Sequence, residues 1–98
     1  ILPGEVNKIS SSEAHIGWNS LRISKNINFL NDFNGKDFYF NHSYKFKTNL
    51  NLVSAIVKFG EDIPAIIIND SVIGLQFHPE KSQKNGTNLL GKLINGLN

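Results

Sequence analysis

The chain has 98 residues, 40% of them apolar and 18% charged, with a net charge of +2. That balance describes a folded domain rather than a disordered chain, although at this size folding removes only about 60–65% of the unfolded surface from water. The absence of cysteine excludes a disulfide-stapled module, a thiolate metal site and a cysteine nucleophile within these residues.

The chain opens on Ile1-Leu2-Pro3-Gly4 and contains no methionine. A processed protein could begin this way, but a turn-forming Pro-Gly directly after two apolar residues reads as the exit from an earlier element, so the downstream part of a longer protein is expected. Val6 to Ile9 is expected to form a short strand, followed by the polar connection Ser10-Ser11-Ser12. Ala14 to Trp18 reads as a second extended piece. From Ser20 to Asn34 the apolar spacing is least regular and permits one helical turn. Asn34-Gly35 is a turn signal, because both residues tolerate positive φ. Asp37 to Phe46 is aromatic-rich and reads as one long strand, in which Tyr39 and Tyr44 differ in parity, one facing the core and the other the site or solvent.

Val53 to Phe59 and Ile63 to Ile68 are β-branched runs joined by Gly60-Glu61-Asp62, hence an antiparallel pair. Asn69-Asp70 turns the chain into a third strand, Val72 to Phe77, whose ladder Pro79 stops because it has no N–H. Leu89, Leu90, Leu93, Ile94 and Leu97 lie on one face of a terminal helix that Gly91 and Gly96 weaken. Strands followed by a single helix give an α/β or α+β assignment. The lysines are scattered singly, without the clustered basic and aromatic residues of a nucleic-acid groove, and no apolar run approaches the roughly 20 residues that span a bilayer. No nucleic-acid and no membrane partner is therefore expected.

Chemistry concentrates in Phe77-His78-Pro79-Glu80-Lys81-Ser82. Alternation along the strand puts Ile73, Leu75 and Phe77 toward the core and His78 on the other face; the two-residue spacing then returns Glu80 to the side of His78. A carboxylate there can accept from one imidazole nitrogen and leave the other as a base, which is two-thirds of a nucleophilic triad without its nucleophile. Ser43 and Ser82 lie on no glycine-flanked elbow and read as hydrogen-bonding loop residues. His15, His42 and His78 are 27 and 36 residues apart and form no local ligand pair, so no metal site and no cofactor is expected. Read singly, Trp18 is a core aromatic, Lys81 a surface lysine and His42 a satisfied structural histidine.

Gly74-Leu75-Gln76-Phe77-His78-Pro79-Glu80 closely resembles the terminal signature of the class I, triad-type glutamine amidotransferases. Lys81-Ser82 narrows the resemblance to the glutaminase subunits of imidazole glycerol phosphate synthases. Leu2-Pro3-Gly4-Glu5-Val6, His15-Ile16-Gly17-Trp18-Asn19 and Tyr39-Phe40-Asn41-His42-Ser43-Tyr44 agree with it in order, so it covers almost the whole chain and is loosest between Leu21 and Lys36.

The resemblance implies the C-terminal part of an amidotransferase-like mixed sheet with flanking helices. Residues 1–98 would be the C-terminal half of one domain, with the cysteine-bearing half upstream, and inactive by themselves. It implies His78 as general base, Glu80 as its orienting acid, and backbone groups near Ser43 and Tyr44 holding glutamine. Trp18, Asn19, Tyr39 and Lys81 would face a cyclase subunit, the synthase partner in a cytoplasmic heterodimer of histidine biosynthesis. A paralogue feeding ammonia to a surface-sugar pathway has nearly the same motifs, and a non-catalytic module that only docks on its synthase would also lack the cysteine. Lys81 and the His15–Asn19 motif argue against the amidotransferases of anthranilate or guanylate synthesis.

Overall fold

The computed structural model describes residues 3–10, 13–25, 27–69 and 72–97. Among these, eight strands and two α-helices follow one another as β1 (Glu5–Lys8), β2 (His15–Ser20), β3 (Arg22–Ile23), α1 (Asn28–Asn31), β4 (Asp37–His42), β5 (Tyr44–Lys47), β6 (Val53–Lys58), β7 (Asp62–Asn69), β8 (Val72–Leu75) and α2 (Gln83–Leu97), with 3-10 turns at Leu50–Leu52 and Pro79–Lys81. This is a mixed α/β fold, as the resemblance implies and as one of the two classes left open by the pattern of apolar runs. The expected Ser11-Ser12 connection and Asp70 of the expected turn lie outside the described residues, as does the side chain of Leu97.

The strands pair antiparallel as β1–β5, as β2–β4, and as a four-stranded sheet in the order β3-β6-β7-β8. The β6–β7 hairpin and β8 form where the β-branched runs place them. Gly35 adopts φ +81°, the left-handed geometry that the Asn34-Gly35 pair anticipates.

Three expectations are corrected. The single strand from Asp37 to Phe46 is broken at Ser43, because β4 pairs with β2 whereas β5 pairs with β1. The Ile9 N–H donates to the Ser43 carbonyl at 3.0 Å, fixing the bend between the two ribbons. The break resets the alternation, so neither tyrosine reaches the core: Phe38 and Phe40 fill it from β4, Tyr39 is half-buried on the outer face, and Tyr44 is 55% exposed. Thirdly, α2 starts at Gln83, a turn and a half before its first apolar residue. Residues 83–88 carry no apolar side chain, so hydrophobic periodicity is silent there; the turn is held by the close approach of Gly86 to Pro79 and by the Asn85 amide donating to the Asp37 carbonyl at 2.9 Å. The helix buries Leu89 and Leu93, while Ile94 is 62% exposed.

The core lies between the sheets and α2. Phe77 packs on Phe38 with ring centroids 4.7 Å apart and on Phe40 at 5.7 Å, and Leu30, Leu89 and Leu93 close it from the helical side. Full burial of each such side chain contributes about 1.5–3 kcal/mol. No helix among the described residues is long and apolar enough to cross a membrane.

One buried group works against the core. The register of β6 on β7 slips around Ser54 and again before Ile56, which faces Pro64, a residue with no N–H to give. Ser54 is fully buried and its hydroxyl has no hydrogen-bond partner among the described residues. Ser54→Ala should therefore raise stability by about 1 kcal/mol, since it removes a desolvated, unpaired hydroxyl without opening a methyl-sized cavity. A lower denaturation midpoint in that variant would show that the hydroxyl is satisfied in solution.

Candidate active site

Beyond β8 the Gln76 N–H still donates to the Ala65 carbonyl at 2.9 Å, so the strand direction carries on and Phe77 enters the core. His78 is then displaced to the surface side, as alternation requires. Its own N–H bonds the Tyr39 carbonyl at 2.9 Å, which ties it to the free edge of β4. Pro79 begins the 3-10 turn, for which its fixed φ and missing N–H suit it. That turn brings Glu80 back beside His78, with Oε2 3.2 Å from Nδ1.

Both side chains are open to solvent, His78 at 39% and Glu80 at 64%. The backbone N–H of Glu80 chiefly, and then the imidazole, hold the Glu80 carboxyl below its ordinary range. An ionised carboxylate accepts from Nδ1–H, which leaves Nε2 to act as the base.

Ser82 braces the same turn from beneath. It is buried; its hydroxyl accepts from the Tyr39 N–H at 2.9 Å and donates to the His78 carbonyl at 2.7 Å. This is the hydrogen-bonding role that its sequence context suggests.

Trp18 and Tyr39 stand directly opposite each other on β2 and β4, with ring centroids 5.9 Å apart in an edge contact. Trp18 is 48% exposed, so the core reading of this residue is wrong: it lies with Ile16 on the outer face of the ribbon. Asn19 alternates to the inner face, where its amide donates to the Lys58 carbonyl at 2.9 Å. Lys81 is exposed and follows Glu80 on the turn. Ser43 occupies the bend between β4 and β5, with Tyr44 as the first residue of β5.

Sequence spacing does not reveal the second imidazole cluster. Register places His15 opposite His42, and their rings meet with Nδ1 of His15 2.8 Å from Nε2 of His42. His15 is only 3% exposed and is stacked between Phe40 and Phe59, at centroid distances of 4.6 and 4.3 Å. His42 bonds the Tyr44 carbonyl through Nδ1 at 2.7 Å, which makes it the satisfied histidine that its neighbours suggest. A signal was present in the parity of two strands, but only knowledge of which strands pair could expose it. No group of three metal-ligating side chains gathers among the described residues.

Burial, and secondarily His42, lowers the His15 pKa from 6.5 to about 4. The unfolded chain then takes up this proton before the folded one does. Stability from the neutral buried ring is complete above about pH 6.5 and is lost as pH falls toward 4. Burial lowers His42 as well, so its contribution has the same sign. Denaturant midpoints measured across that window should fall with acidification, and His15→Asn should flatten the slope. A midpoint independent of pH there would contradict the neutral assignment.

The family described as "Glutamine amidotransferase class-I" matches residues 4–94. Among curated proteins, the chain is similar to the "Imidazole glycerol phosphate synthase subunit HisH" of Caldanaerobacter subterraneus subsp. tengcongensis, with 45% identity over 78 residues, covering 78% of this chain and 38% of that protein. The protein of that name from Archaeoglobus fulgidus is 36% identical over 98 residues, covering 96% of this chain and 50% of its own. The one from Staphylococcus aureus is 40% identical over 97 residues, covering 97% and 47%. The chain thus spans about half the length, or less, of these curated relatives.

Proposed function

The chain belongs to the class-I glutamine amidotransferases, and from that premise we propose that it is the C-terminal half of a glutaminase domain, supplying the base and the orienting acid to a cysteine carried by residues outside these 98. The observation that carries this reading is the His78–Glu80 contact of 3.2 Å at the end of a strand extension, half-open to solvent. The exposure fits a site whose opposite wall belongs to the rest of the domain.

In the reaction, His78 Nε2 takes the proton from the cysteine thiol, and the sulfur attacks the side-chain amide carbon of glutamine. Glu80 stabilises the imidazolium. His78 then passes the proton to the departing nitrogen; the C–N bond breaks, ammonia leaves and a glutamyl thioester remains. His78 next takes a proton from water, whose oxygen attacks the thioester; returning that proton to sulfur completes the release of glutamate. Backbone groups at Ser43 and Tyr44 hold the glutamine. Acyl transfer by these groups calls for no cofactor.

The ammonia passes to a cyclase subunit, the synthase partner that the resemblance implies, and the relatives, which are named as subunits of imidazole glycerol phosphate synthase, support this. Trp18 and Tyr39 present an exposed aromatic pair for that partner, with Lys81 at the same assembly and Asn19, whose amide turns inward to the Lys58 carbonyl, reaching it only through the strand it shares with Trp18; the heterodimer works in the cytoplasm. Release of glutamate from glutamine tests the proposal. The complete protein with its synthase should hydrolyse glutamine and the 98-residue chain should not. Hydrolysis by the isolated chain, or none by the complete protein, would overturn it.

A further inference from the structure

The His15–His42 pair has no part in the chemistry above, yet every polar atom in it is directed. The orientation of the Asn19 amide is set from two sides: Oδ1 accepts the Ser20 N–H at 2.8 Å and Nδ2 donates to the Lys58 carbonyl at 2.9 Å. The same Nδ2 reaches His15 Nε2 at 3.2 Å, so that nitrogen must accept. The His15 proton therefore sits on Nδ1 and is donated to His42 Nε2. His42 in turn carries its proton on Nδ1 and donates it to the Tyr44 carbonyl. The direction of the chain is set at both ends, by the Asn19 amide at His15 and by the Tyr44 carbonyl at His42, which can only accept, and both rings are neutral. Stacking between Phe40 and Phe59 holds the plane of the His15 ring.

The last link spans the bend at Ser43. There the chain leaves one two-stranded ribbon for another, and the His42 ring clamps the carbonyl two residues ahead. We propose that His15 is a positioning residue for glutamine binding: by donating to Nε2 of His42 it holds that ring in the plane from which Nδ1–H reaches the Tyr44 carbonyl, and so keeps the Ser43–Tyr44 backbone in the geometry that accepts the substrate. The proposal rests on the reading that this bend holds glutamine.

The test uses the complete protein with its synthase. His15→Leu keeps an apolar side chain between the two rings but gives His42 no donor. It should raise KM for glutamine about tenfold, the weight of one well-placed hydrogen bond, with kcat changed by less than about threefold. His15→Asn places an N–H where Nδ1–H was, and should restore KM to within about twofold of the unsubstituted protein. In ¹⁵N spectra His42 Nε2 should show the shift of a hydrogen-bonded acceptor in the unsubstituted and Asn proteins, and lose it in the Leu protein.

An unchanged KM in His15→Leu, an Asn variant as impaired as the Leu variant, or a His42 Nε2 shift indifferent to His15 would each overturn the proposal. Titrating glutamine into the unsubstituted protein while following the Ser43 and Tyr44 amide resonances separates the two levels. Resonances that do not move remove the substrate reading itself. Resonances that move, beside an Nε2 shift that ignores His15, remove only the relay.

Discussion

Replacing His78 by alanine in the complete protein should abolish glutamine hydrolysis, lowering kcat by about 10²–10⁴-fold, the range that a positioned general base contributes. Synthesis by the partner from free ammonia should survive, because that reaction does not pass through the imidazole. The split matters: Phe77, directly before His78, is buried among Phe38 and Phe40, and a collapsed fold would weaken partner docking and thereby both activities. Glu80→Ala should cost less than His78→Ala. The carboxylate is 64% exposed, so water can replace it as acceptor for Nδ1–H, with loss of ring orientation but not of the base. Full glutaminase activity in His78→Ala would sink the assignment of the base. Loss of ammonia-dependent synthesis as well would show that the substitution acts through structure.

The second large effect concerns two glycines in one helix, with opposite signs. Glycine in a helix interior ordinarily costs about 0.5–1 kcal/mol relative to alanine. Around Gly91 there is open space, and Gly91→Ala should raise stability by about that amount. Gly86 is buried, and a Cβ there would overlap the carbonyl of Pro79. The overlap is with backbone, which cannot rotate aside, so Gly86→Ala should lower stability by about 1–3 kcal/mol as helix and turn are forced apart. Pro79 lies between His78 and Glu80; displacing it also disturbs the 3.2 Å contact, so glutaminase activity in the complete protein should fall with stability. Equilibrium unfolding of both variants, with the glutaminase rate, checks the pair. If both substitutions stabilise, the helix does not approach the turn this closely in solution.

Packing of this kind explains why some features are legible in the sequence and others are not. The hairpin of β6 and β7, the third strand and the Asn34-Gly35 turn were legible because their causes are local: β-branched side chains, tight connections and tolerance of positive φ act over a few residues. The His78–Glu80 contact was legible for the same reason, since alternation along a strand and the fixed φ of Pro79 determine it within five residues. What failed was every inference that assumed a continuous element. Tyr39 and Tyr44 were expected to divide between core and surface by parity, but the chain changes partner strand at Ser43. The first turns of α2 carry no apolar side chain, and Gly86 had no mark to distinguish it from Gly91.

By itself, then, the sequence determined the β6–β7 hairpin and the strand that follows it, the mixture of strands and helix, the position of the imidazole–carboxylate pair and the membership that its ordered motifs imply. Tertiary structure alone decided which strands pair, and so that His15 meets His42 across 27 residues of chain, that Trp18 and Tyr39 share an exposed face, and that Ser82 and Gly86 brace the turn bearing His78. The reason is range: side-chain alternation and backbone propensity are settled between neighbours, whereas pairing register and close backbone approach depend on groups far apart in the chain, where no periodicity records them.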